Sequence, residues 1–139
     1  MMEVDLRALL PRHKSDCERA KAIVALGYPA VAPVLRDLLG WLQDCNWPVS
    51  HSIAPFLASV GEPVVPLIRE VFQGDDDIWK YWCIERIVMG FQRDVAEQLL
   101  PDLQRIAFHP SITEQGEEVD EQAKAALEWL DDGPCRTSG

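Results

Sequence analysis

Three clusters in this 139-residue chain combine residue types that could do chemistry. The first is Ser50-His51-Ser52, whose types invite a nucleophile-and-base reading. Successive helical residues point about 100° apart, so these three cannot pair among themselves. No strand-turn-helix nucleophile motif accompanies them, and His51 reads as a histidine on a helix surface. Pro55, four residues on, removes the backbone donor for the His51 carbonyl and predicts a local kink. The second cluster, Gly74-Asp75-Asp76-Asp77, lacks the alternating oxygen ligands and terminal glutamate of a calcium loop; it reads as a helix cap and a solvated corner. The third, Glu117, Glu118, Asp120 and Glu121, opens a helix, where negative charge complements the dipole. A solvated face is the default for it and contact with a basic partner the alternative.

Cys17, Cys45, Cys83 and Cys135 are widely spaced, with no CxxC pair and no histidine at a ligand-like offset. They read as reduced thiols of a cytoplasmic protein. We therefore expect no catalytic residue, no metal and no cofactor. The strongest functional candidate is the segment 78 to 91. Assigning Tyr81, Ile84, Ile87, Val88 and Phe91 to a buried face leaves Trp79, Trp82, Glu85, Arg86 and Met89 on other faces. Tryptophan, arginine and methionine are enriched at interface centres, so these five together with nearby His51 form an expected binding surface. The competing reading packs both tryptophans between helix pairs.

These residues must be positioned by helices. "AVAPVLRDLL" (30 to 39), "PVVPLIREVF" (63 to 72) and "QLLPDLQRIA" (98 to 107) align on Pro33, Pro66 and Pro101, with Leu35 and Leu38, Ile68 and Val71, and Leu103 and Ile106 at matching helical offsets. Proline is tolerated only near a helix start or at a kink, so each should lie in or just past a first turn. Between these segments, "NWPVSHSIAPFLASVG" and "DIWKYWCIERIVMGFQ" set Ile53, Phe56, Leu57 and Val60 opposite Ile84, Ile87, Val88 and Phe91. "DCERAKAIVALG" precedes them, and "EVDEQAKAALEWLD" follows with Ala123, Leu127 and Leu130 on its inner face. Asp16, Asn46 and Asp77 are the expected N-caps, Gly27 and Gly61 the expected C-caps, and Pro48 belongs to a first turn.

The map is therefore helix pairs: 3 to 10 with 16 to 27, 30 to 43 with 47 to 60, 63 to 73 with 78 to 91, and 94 to 108 with 118 to 131. A period in the low thirties with two helices per unit predicts an all-α solenoid of about four antiparallel pairs in a right-handed superhelix. One domain spans residues 1 to 131. The 109 to 118 loop is longer than the other corners, and such a loop is either disordered or functional. The tail 132 to 139 is expected to be unstructured, with Cys135 the most exposed thiol.

Charge narrows the partner. Residues 1 to 36 carry six Lys/Arg against four acids (+2), and residues 37 to 139 carry seven against nineteen (−12), giving −10 overall. Such an acidic chain repels phosphate, so nucleic acid is not expected as a partner, and a basic protein surface is easier to accommodate than an acidic one. No apolar run approaches a membrane span and no signal segment opens the chain, so we expect no membrane association and a cytoplasmic location. The sequence does not set the oligomeric state.

With "LLPRHKSD" (9 to 16), "WLQDCNWPVS" (41 to 50) and "DDDIWKYW" (75 to 82), the chain resembles a bacterial family designated domain of unknown function 5071, over most of residues 5 to 131. The resemblance implies a HEAT-like all-helical fold and transfers no catalytic residue. HEAT-like modules mostly bind macromolecules, so a non-catalytic protein-binding module is the expected function. An inhibitor of one partner, such as an immunity protein for a toxin, is the alternative, and an enzyme of unknown reaction the third.

Overall fold

The proline-marked segments each start with a three-residue 3-10 turn that tightens into an α-helix. Ala32–Val34 leads into α2 (Leu35–Gly40), Glu62–Val64 into α4 (Val65–Gln73), and Glu97–Leu99 into α7 (Leu100–Phe108); α1 (Cys17–Leu26) and α3 (Ser50–Val60) precede α2 and α4 respectively. The computed structural model describes residues 6–131, which are helical with no strand among them. The remaining elements are α5 (Asp77–Trp82), α6 (Arg93–Ala96), α8 (Ile112–Gly116) and α9 (Val119–Asp131). Pro66 and Pro101 are the second residues of their α-helices, where a missing N–H costs nothing; Pro33 lies earlier, inside its 3-10 turn. Leu35, Leu38, Ile68, Val71, Leu103 and Ile106 are all buried, as their spacing predicts.

Gly27 and Gly61 end α1 and α3 with φ of 73° and 79°, a region that side chains resist. After Gly61 the chain bends by 109° between Ser50–Val60 and Glu62–Gln73. Buried residues from α1 to α9, among them Ile23, Leu38, Ile53, Ile68, Ile84, Leu103 and Leu130, form one core. Among the described residues no single helix is long and apolar enough to cross a membrane.

Three ion pairs run along the proline-marked segments. Arg7 pairs with Asp37 at 3.2 Å, Arg36 with Glu70 at 2.8 Å and Arg69 with Asp102 at 3.1 Å. In α2 and α4 the arginine and the acid are adjacent, and each reaches in the opposite direction. Exposed pairs contribute at most about 1 kcal/mol each, so they fix register more than stability.

Several expected boundaries shift. The N-terminal helix of 3 to 10 is a 3-10 turn at Leu6–Leu9, with residues 3 to 5 outside the described residues. The helix expected over 30 to 43 leaves α geometry at Gly40, and Trp41 packs edge-to-face on Trp47 with ring centroids 5.8 Å apart. Asn46 does not cap α3. Pro48 disfavours α geometry at Trp47, so the chain winds through i→i+3 bonds (Ser50 N to Trp47 O, His51 N to Pro48 O) before α3 begins at Ser50. Asp16 occupies its N-cap position, but its carboxylate bonds back to the Arg12 backbone and side chain at 3.0 Å instead of capping.

At the next corner Asp76, not Asp77, is the N-cap, accepting from Trp79 N at 3.1 Å. The 109 to 118 segment is not a loop but contains α8. Ser111 and Glu114 close a reciprocal capping box there, two bonds that satisfy donors an uncapped helix start would leave open. Glu118 joins α8 to α9 at φ 61°, a conformation that costs a side-chain-bearing residue roughly 1 kcal/mol. The expected unstructured tail, including Cys135, lies outside the described residues.

Candidate functional site

Downstream of α5 the helix changes its winding. Cys83–Ile87 form a π turn and Val88–Gly90 a 3-10 turn. Across these turns Cys83, Ile84, Ile87 and Val88 are buried in the core, while Glu85 is only partly buried and Arg86 is exposed. Against this segment lies α3. Gly90 makes the approach possible, because a Cβ there would meet the Ala58 Cβ at 3.0 Å.

Between the two elements runs an open groove of about 680 Å³ whose walls include His51, Pro55, Ala58, Glu85, Arg86 and Met89. Four of the six expected surface residues thus share one concavity. Arg86 is held by Glu85 at 3.1 Å and its guanidinium lies 5.5 Å from the centre of the Trp82 ring. Trp82 is not one of the groove's walls; it meets them through Arg86 and itself lines a separate pocket. Stacking and pairing fix Arg86 in a defined orientation, so it has less freedom to lose on binding. Gln122 of α9 reaches the Met89 sulfur at 3.5 Å, so this side chain too is positioned from a second element.

Trp79 departs from the expected set. Its indole N–H donates to Leu39 O of α2 at 3.1 Å, and it borders a separate, mostly apolar slot with Leu67 and Val71. It joins elements rather than the groove. Tyr81, expected in the core, is only partly buried, and packs edge-to-face on Trp82 at 5.1 Å. Trp79→Ala should lower the unfolding free energy by about 2 kcal/mol, through lost packing and an orphaned carbonyl, and Trp82→Ala by less than half of that. Urea denaturation of the two variants measures the difference; equal losses would put both tryptophans in the same structural role.

Ser50 Oγ lies 2.8 Å from Trp47 O and 2.9 Å from Cys45 O, so its proton is committed to the backbone, away from His51. Burial pushes the Cys45 thiol up to about 11 and raises that of Cys83, so neither supplies a thiolate near neutral pH.

A second polar assembly went unseen in the sequence. Lys80 is 4% exposed and Glu114 1% exposed. The Lys80 ammonium is 3.0 Å from both Asp77 Oδ1 and Glu114 Oε2, and Arg105 grips both Glu114 oxygens at 2.9 and 2.7 Å. Ser111 N–H adds a bond of 2.8 Å. The Arg105 bonds, working against burial and helped by Ser111 and Lys80, hold the Glu114 carboxyl at about 2. Burial works against the Lys80 ammonium, but its bonds to Glu114 and Asp77 outweigh burial and raise its pKa. The four-residue pattern Ser111-x-x-Glu114 is a legible capping-box signal; the partners from α5 and α7 are not local.

The described residues thus define an all-helical protein with an open surface groove and an internal ion-pair knot. The family model of the domain of unknown function DUF5071 matches residues 9–132, and the chain belongs to this family. No curated protein matches it.

Proposed function

We propose that the protein is a non-catalytic binding module of the bacterial cytoplasm, a HEAT-like α-solenoid of about four antiparallel helix pairs that takes a protein partner in the α3 groove. The observation that supports this reading is the convergence of His51, Glu85, Arg86 and Met89 on one concavity, with Arg86 stacked on Trp82. Arginine, tryptophan and methionine carry a large share of interface energy when gathered and preorganised. The uneven acidity of the chain, −12 over residues 37 to 139, favours a basic partner and also suits the alternative of a dedicated inhibitor.

Capture of partners from a bacterial lysate by the wild type and by Arg86→Ala tests the groove. Once a partner is identified, Arg86→Ala should weaken it by about 2 kcal/mol, or roughly 30-fold, with little change in melting temperature. Equal affinity of Arg86→Ala and His51→Ala variants with the wild type would rule the groove out as the contact surface. A basic toxin as the captured partner would favour the inhibitor.

A further inference from the structure

We propose that the aromatic pocket beside the groove receives one cationic side chain, a lysine or arginine presented by the protein partner. This rests on the protein-binding reading above and names the chemistry of the contact.

The pocket opens between the α2–α3 corner, the outer face of α5 and the α8–α9 junction, with a volume of about 390 Å³. Its walls are Asp44, Ile78, Tyr81, Trp82, Glu117 and Glu118. Tyr81 and Trp82 meet edge to face at 88°, so the two rings stand at right angles along the wall, with Arg86 lying over the Trp82 ring at 5.5 Å. Ile78 is 46% exposed, an apolar surface on which the methylene stem of a long side chain can lie. Three carboxylates complete the rim.

The described acids of this fold are of two kinds, those tied into ion pairs and those left to solvent, and these three are of the second kind, like Asp75 and Asp94. Asp16, Asp37, Glu70, Asp77, Glu85, Asp102 and Glu114 each pair with an arginine or lysine of the chain. Among the described residues no ion pair joins Asp44, Glu117 or Glu118 to a base, although Asp44 accepts the Asn46 N–H at 2.9 Å. Arg86 pairs with Glu85, stacks on Trp82 and lines the groove rather than this pocket. Burial, the charge and hydrogen bond of Glu85 and the charge of Glu118 raise the Tyr81 phenol against a smaller opposing effect of Arg86, so negative charge prevails around the ring.

The combination selects its occupant. An anion is repelled by three carboxylates. A purely apolar side chain would strip water from the acids without replacing its hydrogen bonds, a net cost. A lysine or arginine meets all the walls at once: its stem on Ile78, its charge over a ring face, and its N–H donors at the carboxylates. Phosphate-bearing polymers are excluded by the same charge.

The test uses the full chain and three capped tripeptides, acetyl-Ala-Arg-Ala-amide, acetyl-Ala-Lys-Ala-amide and the neutral acetyl-Ala-Gln-Ala-amide, titrated at low ionic strength and followed by two-dimensional amide and indole NMR. A single side chain should bind with a dissociation constant on the order of 1 mM. The cationic peptides should give saturable shifts at Tyr81, the Trp82 indole and the Glu117 and Glu118 amides, and the neutral peptide none. The double variant Glu117→Gln/Glu118→Gln, altered only at exposed positions, should bind the cationic peptides at least 10-fold more weakly. Shifts that spread unsaturably over the acidic surface, equal shifts with the neutral peptide, or full binding by the double variant would overturn the proposal. Because no partner is needed, the pocket can fail while the groove stands. Loss of the groove assignment by lysate capture, conversely, leaves a positive titration in place.

Discussion

Glu114→Ala is expected to lower the unfolding free energy by about 3 to 5 kcal/mol, the range for removing one partner from a buried ion pair. The carboxylate accepts from Arg105, Lys80 and the Ser111 backbone. Without it the buried Lys80 ammonium retains only Asp77, and α8 loses half of its capping box. The charge matters beyond the shape, so Glu114→Gln should recover only part of the loss. Acid gives an independent handle on the same group. Its folded pKa of about 2 lies below the ordinary 4.5, so between these values the unfolded chain binds more protons. Its contribution, about 3 kcal/mol, is therefore fully present above pH 4.5 and disappears as pH falls towards 2. Urea titrations at pH 7 and pH 3 should show wild-type stability falling more steeply than that of Glu114→Ala. Parallel losses in the two proteins would mean that the knot contributes nothing in this window.

A larger effect is expected in the π turn. Ile84 is fully buried at its second position. Aspartate there would place a carboxylate with no partner in the core, at a cost of several kcal/mol against roughly 5 to 15 kcal/mol of total stability for a domain. Ile84→Asp should show no cooperative melting transition by circular dichroism, whereas Ile84→Val should lose only about 1 kcal/mol. An Ile84→Asp variant that melts with the wild type would show that this segment does not pack as described.

What the sequence made legible was periodic and local. The proline-anchored segments carry their buried residues at repeating offsets, and Gly27 and Gly61 mark helix ends because few other residues adopt their dihedrals. The grouping of His51 with Glu85, Arg86 and Met89 was partly visible, since amphipathic spacing reveals which residues a core leaves out. Trp79 lies outside the groove and follows the competing reading of a tryptophan packed between elements, for a reason spacing cannot reveal: its partner, the Leu39 carbonyl, is forty residues away. The π turn was invisible because its residue types fit an ordinary α-helix equally well, and the choice is made by packing against α3. Lys80 escaped notice because a lysine among aromatics reads as solvated. Asp77, three residues back, and Glu114, arriving from α8, together make its burial tolerable.

The opposite reach of each adjacent arginine-acid pair in α2 and α4 bears on how the order of the two residues is set. Arg36 reaches forward to Glu70 while Asp37 reaches back to Arg7, and Arg69 reaches forward to Asp102 while Glu70 reaches back to Arg36. Each segment thus offers one acid to its predecessor and one arginine to its successor. Each such pair therefore fits in one order only: exchanging Arg36 and Asp37 would set an acid against Glu70 and an arginine against Arg7, like charges facing at both neighbours at once.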